Sequence, residues 1–239
     1  MKGVAVLVPA RNEADCLPDL LDRLSAAGVD LVIVVDNGST DDTARIAVER
    51  GVAVTREPTP GYGRACLAGI RELVAAGEPP EVLVFVDADD FLAPSQIGSL
   101  VAPILRDEAD LVVGERRSNP GGPGVRLHAR MGNAFVTSVL RRVYGSGVRD
   151  LGPFRAIRFS CLRRLELDDP DYGWYVQMQV RALRSGCRVV GVPVDFHART
   201  AGTSKVSGSV QGSVRAGIKI LWTLAGEIVG GPGRRHHSE

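Results

Sequence analysis

Short aliphatic, β-branched runs recur along the first half of the chain, separated by longer stretches with helical spacing. Val4–Val8, Leu31–Val35, Val52–Thr55, Val82–Val86, Asp110–Gly114 and Arg188–Val192 read as strands. Several are apolar at consecutive positions, the mark of strands buried on both faces of a mainly parallel sheet. Between them Ala14–Ala27, Asp41–Arg50, Tyr62–Ala76 and Pro94–Arg106 carry helical periodicity, and Leu17, Leu20, Leu21 and Leu24 form one apolar stripe. Ser39, Thr40 and Asp41 offer caps for the second helix. Strict alternation of strand and helix through residue 114 predicts an open α/β sheet that binds ligands at the carboxyl ends of its strands.

The second half is less regular. Ser118–Gly124 is a Gly/Pro loop, Val125–Tyr144 and Gly173–Ser185 are helical, and Leu162–Leu165 is a short turn. Thr200–Ser209 is rich in Gly, Ser and Thr. Val206, Val210, Val214, Ile218, Leu221, Leu224 and Ile228 then fall on one helical stripe, which predicts a C-terminal amphipathic helix. The expected organisation is one α/β domain over 1–229, mainly parallel in its sheet and flanked by helices, with a tail at 230–239. Within it, 1–117 form a nucleotide half, 118–205 an acceptor half and 206–229 the last helix.

Composition adds exclusions more than positive signals. A net charge of +1 gives no global field for nucleic acid. Cys16, Cys66, Cys161 and Cys187 form no CxxC pair and have no zinc-like His spacing, so reduced thiols in a cytoplasmic protein are expected. No stretch approaches the roughly 20 apolar residues of a membrane span.

The chemistry concentrates where strands end. Val82-Leu-Val-Phe-Val-Asp-Ala-Asp-Asp90 closes a buried strand with three carboxylates in four positions. Such a cluster is costly unless solvated, paired or bound to a cation. Asp87 and Asp89 share one side of an extended chain and form a hard-oxygen pair suited to Mg²⁺ or Mn²⁺ bridging to phosphates, although an Asp after a strand also caps helices. Asp36 ends the second strand, where a carboxylate can accept hydrogen bonds from a base or ribose. In Val8-Pro-Ala-Arg-Asn-Glu13, Pro9 shapes the loop, Arg11 suits a phosphate and Glu13 suits ribose hydroxyls. Gly61-Tyr-Gly-Arg64 opens a helix whose start suits the approach of a phosphate, although a lone Gly-x-Gly is a weak signal. GxGxxG and GxxxxGK[ST] are both absent from the sequence, which excludes a dinucleotide fingerprint and a Walker A loop.

Taken in order, Pro9–Glu13, Val35–Asp42 and Asp87-Ala-Asp89 resemble the successive motifs of family 2 glycosyltransferases with the Rossmann-like GT-A fold. The likeness runs from Val4 to about Lys205. It implies an inverting, metal-dependent transfer of a hexose from a UDP- or GDP-sugar. The donor set is then Pro9, Arg11, Glu13, Asp36, Arg64, Asp87 and Ala88, with metal on Asp87 and chiefly Asp89. Gly114–Arg117, Arg130–Asn133, Asp150–Arg155 and Phe196–Lys205 further resemble the polyprenyl-phosphate branch, such as dolichol-phosphate mannosyltransferases. By that resemblance Arg116 and Arg130 meet an acceptor phosphate, Arg199 and Lys205 clamp phosphates during catalysis, and Asp150 is a further site residue.

In the resembling family a Glu often stands where this chain has Gln177. Gln is no general base, which leans toward an acceptor that is already anionic, a phosphate or a carboxylate, although Asp150, Asp169, Asp171 and Asp195 also stand as candidate bases; that the anion is a polyprenyl phosphate is what the resemblance implies. The alternatives are a soluble acceptor such as phosphoglycerate, or a nucleotidyltransferase of similar sheet. The C-terminal helix is expected to pack on the domain, to pair subunits, or to lie at the cytoplasmic face of a membrane, giving peripheral access to lipid. Trp174 and Tyr175 suit either an acceptor pocket or the core.

Overall fold

The computed structural model describes residues 1, 3–88, 94–117, 127–195 and 210–230. Among them the strands are β1 (Val4–Ala10), β2 (Leu31–Asp36), β3 (Ala53–Arg56), β4 (Val82–Phe85), β5 (Leu111–Arg116), β6 (Arg155–Arg158) and β7 (Val189–Val194). The helices are α1 (Leu17–Ala26), α2 (Thr43–Glu49), α3 (Tyr62–Ala75), α4 (Pro94–Leu105), α5 (Leu127–Tyr144), α6 (Phe159–Arg164), α7 (Trp174–Arg184) and α8 (Val210–Val229). The strands form one sheet in the order β3-β2-β1-β4-β6-β5-β7. All neighbours are parallel except β6, which runs antiparallel to both β4 and β5.

β6 is the strand that the hydrophobic pattern does not announce. Arg155-Ala-Ile-Arg158 offers two apolar residues between two cations, yet Arg155 is fully buried and Ala156 and Ile157 lie in the core. The strand exists because its neighbours need a partner: Phe85 pairs with Arg155, which pairs with Val113 on the other side.

Burial follows the two-residue period of the strands. Val4, Val6 and Val8 of β1 point to a core built with α1 and α4, whereas Ala5 and Leu7 point to one built with α3, α6 and α7. A third cluster joins Val136 and Leu140 of α5, Val176 and Val180 of α7, and Leu224 of α8.

Two helices start later than their periodicity suggests. α1 begins at Leu17 because Glu13–Cys16 form a turn whose backbone is tied elsewhere, with Glu13 N donating to Thr43 Oγ1 (2.8 Å) and Ala14 N to Asp41 Oδ2 (3.2 Å). α2 begins at Thr43: Ser39 Oγ accepts from Asn12 N and Thr40 N donates to Asn12 Oδ1 in the loop after β1, while Asp41 accepts from Ala14 N in that loop and from Thr43 N at the start of the helix (3.0 Å). The apolar residues of α8, read as one stripe, divide between two faces: Leu224 is buried, while Ile218, Leu221 and Trp222 are exposed. Cys161 of α6 and Cys187, just before β7, are paired with a Cα–Cα separation of 7.2 Å, which corrects the expectation of four separate thiols; Cys16 and Cys66 are free and buried. Their 26-residue separation in sequence conceals that contact.

Candidate active site at the carboxyl edge of the sheet

The ends of β2, β1 and β4 stand side by side. Ala10 and Asp36 are in register, and Asn37 N donates to Ala10 O (2.8 Å). Two asparagines then fasten the loops that follow. Asn12, held at φ 51°, accepts from Thr40 N on Oδ1 (2.7 Å) while its own N–H donates to Ser39 Oγ (3.0 Å). Asn37 is buried and donates from Nδ2 to the Glu57 and Thr59 carbonyls (3.0 and 2.8 Å), and its Oδ1 accepts from Gly61 N (2.8 Å). The loops after β1, β2 and β3 thereby form one cross-linked rim. Gly38 is required in that rim: its φ is 71°, and a Cβ there would lie 2.9 Å from the Pro58 carbonyl oxygen. Asp36 is buried in the same rim and accepts from Ser39 N on Oδ1 (3.1 Å).

Asp87 follows β4 at this edge, half-buried. Tyr175 of α7 donates its hydroxyl to Asp87 Oδ1 (3.0 Å) and is also hydrogen-bonded to the Tyr62 hydroxyl of α3, the two rings lying 4.8 Å apart. Burial raises the pKa of both phenols and of the Cys66 thiol, and the negative charge of Asp87 raises all three further. Beneath Tyr175, the Arg155 guanidinium sits 4.6 Å from the ring centroid. It donates to the Gly152 carbonyl from Nε (2.8 Å) and to the Tyr175 carbonyl from Nη1 (2.8 Å). Burial lowers its pKa to about 10, which leaves it a cation at neutral pH. Trp174, by contrast, is core: it is fully buried and meets Phe85 edge-on at 6.3 Å.

At the end of β5, Arg116 is gripped by Asp150. Nε donates to Oδ2 (2.8 Å), Nη2 to Oδ1 (2.7 Å), and the Arg116 backbone N–H adds a third bond to Oδ2 (3.0 Å). Asn133 of α5 holds the loop bearing Asp150, accepting from Leu151 N (2.8 Å) and donating to the Arg149 carbonyl (3.2 Å).

The Glycosyl transferase family 2 profile matches residues 5–166, a stretch containing both the rim and Arg116. The chain belongs to glycosyltransferase family 2. This glycosyltransferase is 39% identical over 226 residues to uncharacterised glycosyltransferases of Mycobacterium tuberculosis and Mycobacterium bovis, covering 93% of this chain and 97% of each relative. It is 35% identical over 235 residues to an undecaprenyl-phosphate mannosyltransferase of Micrococcus luteus, covering 93% of this chain and 94% of that one. It is 33% identical over 222 residues to a polyprenol monophosphomannose synthase of Mycolicibacterium smegmatis, covering 85% and 81%. Its fold matches that of glucosyl-3-phosphoglycerate synthase from Mycobacterium tuberculosis, solved with phosphoglyceric acid, at a TM-score of 0.76 and 22% identity over 94% of this chain and 79% of the other. The same synthase has been solved with Mn²⁺ or Mg²⁺ and UDP. The single GT-A domain with a terminal amphipathic helix is thus established.

The fold of this glycosyltransferase brings Pro9, Arg11, Glu13, Asp36, Asp87 and the buried Ala88 to one sheet edge. Arg64 is exposed on the first turn of α3, its N–H bonded to the Pro170 carbonyl (3.1 Å), and Arg130 is exposed near the start of α5. Asp89, Arg199, Lys205 and His197 lie outside the described residues. No three metal-ligating side chains converge among the described residues. Asp87 nonetheless fits a hard divalent cation, because it sets a carboxylate at the mouth of the sheet beside phenolic oxygens.

Sequence reasoning missed four contributors. The sequence assigns no role to Asn12 or Asn37, leaves Tyr175 open between pocket and core, and does not announce the strand that carries Arg155. Gln177 needs reinterpretation. Its Oε1 accepts from the N–H groups of Asp168 and Asp169 (both 2.9 Å), and its Nε2 donates to Asp168 Oδ1 (2.8 Å) and Glu227 Oε1 (3.0 Å). A Glu there would set a third carboxylate among those partners. The identity of residue 177 therefore follows from packing and carries nothing about the acceptor.

Proposed function

We propose that the protein transfers a hexose, with inversion, from a UDP- or GDP-sugar to a polyprenyl phosphate. The observation that carries this reading is the ordered edge Asp36–Pro9/Glu13–Asp87, with the Asp150-anchored Arg116 at the end of β5, two strands from β4 in the same sheet. Residues 1–117 serve the donor, 118–205 the acceptor, and 206–229 form the terminal helix. Glu13 and Asp36 take the nucleoside, and Arg11 and Arg64 approach its phosphates. Mg²⁺ or Mn²⁺ on Asp87 and Asp89 would supply charge screening for the diphosphate leaving group.

Arg116 and Arg130 receive the acceptor phosphate, and Arg199 and Lys205 are the further cations assigned to the phosphates. Asp150 is a positioning residue, since its carboxylate is engaged by Arg116. A phosphate acceptor is largely ionised at neutral pH, with a second pKa of about 6, and needs orientation more than deprotonation. Its oxygen attacks the anomeric carbon as the bond to the diphosphate breaks on the opposite face. The lipid acceptor is favoured by the two polyprenyl-phosphate relatives, both above 30% identity.

The test incubates the full chain with Mn²⁺, radiolabelled UDP- and GDP-hexoses, and either undecaprenyl phosphate or 3-phosphoglycerate. Label is expected in an organic-phase product that mild acid releases, and Asp87→Asn is expected to lower its formation at least a hundredfold, on the order of 3 kcal/mol. Label appearing only in a water-soluble product, or full activity of Asp87→Asn, would overturn the reading.

A further inference from the structure

α5 and α8 both pack on α7 and on one another. Their inward residues form the third core cluster, so their opposite faces point away from α7 together. Those outward faces are apolar. On α5, Met131 is 65% exposed and Phe135, one turn on, 56%. On α8, Ile218 (55%), Leu221 (44%), Trp222 (77%) and Val229 (84%) fall on one stripe at helical spacing.

The charge on these two helices is one-sided. α5 carries three basic residues, Arg130, Arg141 and Arg142, and no acid, while on α8 Lys219 is paired with Asp169 and the one acid is Glu227. Glu227 is turned inward, paired with Arg181 and Arg184 of α7. Arg130, Arg141 and Arg142 are exposed, and so is Arg149 just beyond α5.

We infer that the outward face of α5 and α8 docks on an anionic lipid surface, with Trp222 as its central anchor. An apolar stripe with a cationic flank matches acyl chains beneath anionic headgroups. A second copy would set the same cations against themselves. Insertion across the bilayer is not implied: among the described residues no helix is long and apolar enough to cross a membrane.

Both helices of this face are also braced to the candidate site. Asn133 of α5 holds the 149–151 loop whose Asp150 grips Arg116. On α8, Lys219 Nζ pairs with Asp169 Oδ2 (2.9 Å) and Thr223 donates to the same oxygen (3.1 Å). The segment after Asp169 touches the first turn of α3 beside Tyr62, since Pro170 O accepts from Arg64 N. Docking this face therefore carries the acceptor side of the edge to the lipid surface. The inference deepens the proposed function and rests on it for the purpose of docking, while the binding itself is independent of turnover.

The experiment floats the full chain with vesicles of phosphatidylcholine alone or mixed with phosphatidylglycerol, without nucleotide sugar, and records tryptophan emission. The sequence has two tryptophans, and Trp174 is fully buried, so a shift reports Trp222. Binding to the anionic vesicles with a blue shift is expected, weakening as salt rises. Ile218→Ser/Trp222→Ser should weaken flotation about tenfold or more, a loss of roughly 1.4 kcal/mol, with an unchanged melting temperature. Should that pair fail to fold, Val229→Asp alone tests the same stripe, and Arg141→Gln/Arg142→Gln should remove the preference for anionic lipid. No flotation, flotation indifferent to these variants, or a lipid-free dimer that shields Trp222 would overturn the inference. Vesicle binding by a protein that makes no glycolipid would instead leave docking intact and remove the acceptor assignment.

Discussion

Arg116 and Asp150 illustrate how one residue pair decides what a neighbour is able to do. Three hydrogen bonds fix the guanidinium of a long, flexible side chain at the end of β5, with Asp150 nearly fully buried beneath it. Arg116→Ala would strand that carboxylate, and a buried pair broken on one side costs about 3–5 kcal/mol. We expect urea denaturation to register a loss of that order. Arg116→Met/Asp150→Leu should regain most of the stability without regaining transfer, which a denaturation curve and an activity assay on one preparation would separate. Asp87 differs in kind: the Tyr175 hydroxyl is poised on one of its oxygens, and the phenol and thiol around it are pushed toward their neutral forms by burial and by its charge.

At the level of elements, the amino edge of the sheet is stitched by charge, while its carboxyl edge carries the candidate chemistry. Asp110, immediately before β5, accepts from Arg188 N and Nε (2.9 and 3.0 Å) and from Nη2 (3.0 Å), and also pairs with Arg158 at the end of β6. Hydrogen bonds from Arg188 lower its pKa to about 2. A carboxyl group whose folded pKa lies below its unfolded value stabilises the fold above the unfolded value, and that contribution is lost as pH falls through the folded one. Asp110→Asn should therefore cost about 1 kcal/mol at neutral pH, after allowance for solvent screening. The gap from the unsubstituted protein should close between pH 4 and about 2 in melts recorded across pH, with substrate KM unchanged, because this edge is opposite the site.

The elements legible in the sequence are those with a strong period. Six strands and the long helices were placed within a few residues of their true bounds, because consecutive β-branched residues and Leu stripes leave little choice. β6 was illegible because a buried arginine reads as surface, and only tertiary contacts (the Tyr175 ring and two carbonyls) make its burial tolerable. The rim motifs fall together at the carboxyl edge of the sheet. Asn12 and Asn37 were missed because turn asparagines and loop-locking asparagines look alike until their carbonyl partners are known.

For the whole molecule, the cross-linked rim means that the proposed nucleoside site is formed before ligand arrives. UDP or GDP with Mn²⁺ should raise the melting temperature, and at a hundredfold excess over Kd the gain is about 2.7 kcal/mol. Asn37→Ala, which frees the loops after β2 and β3, should shrink that shift more than Arg116→Met/Asp150→Leu does; equal shifts in differential scanning fluorimetry would contradict a preformed rim.

The reversed strand β6 has one more consequence, and it is a matter of width. Asp87 lies two residues beyond Phe85 on β4, and Arg116 three beyond Val113 on β5, with Arg155 of β6 in register between Phe85 and Val113. Two inter-strand steps of about 4.8 Å therefore stand between the Asp87 end and the Arg116 end of the edge, roughly 10 Å in all. A sheet without β6 would set those two ends a single step apart. The strand hardest to read is thus a spacer, and it sets how far the Asp87 end of the edge stands from Arg116.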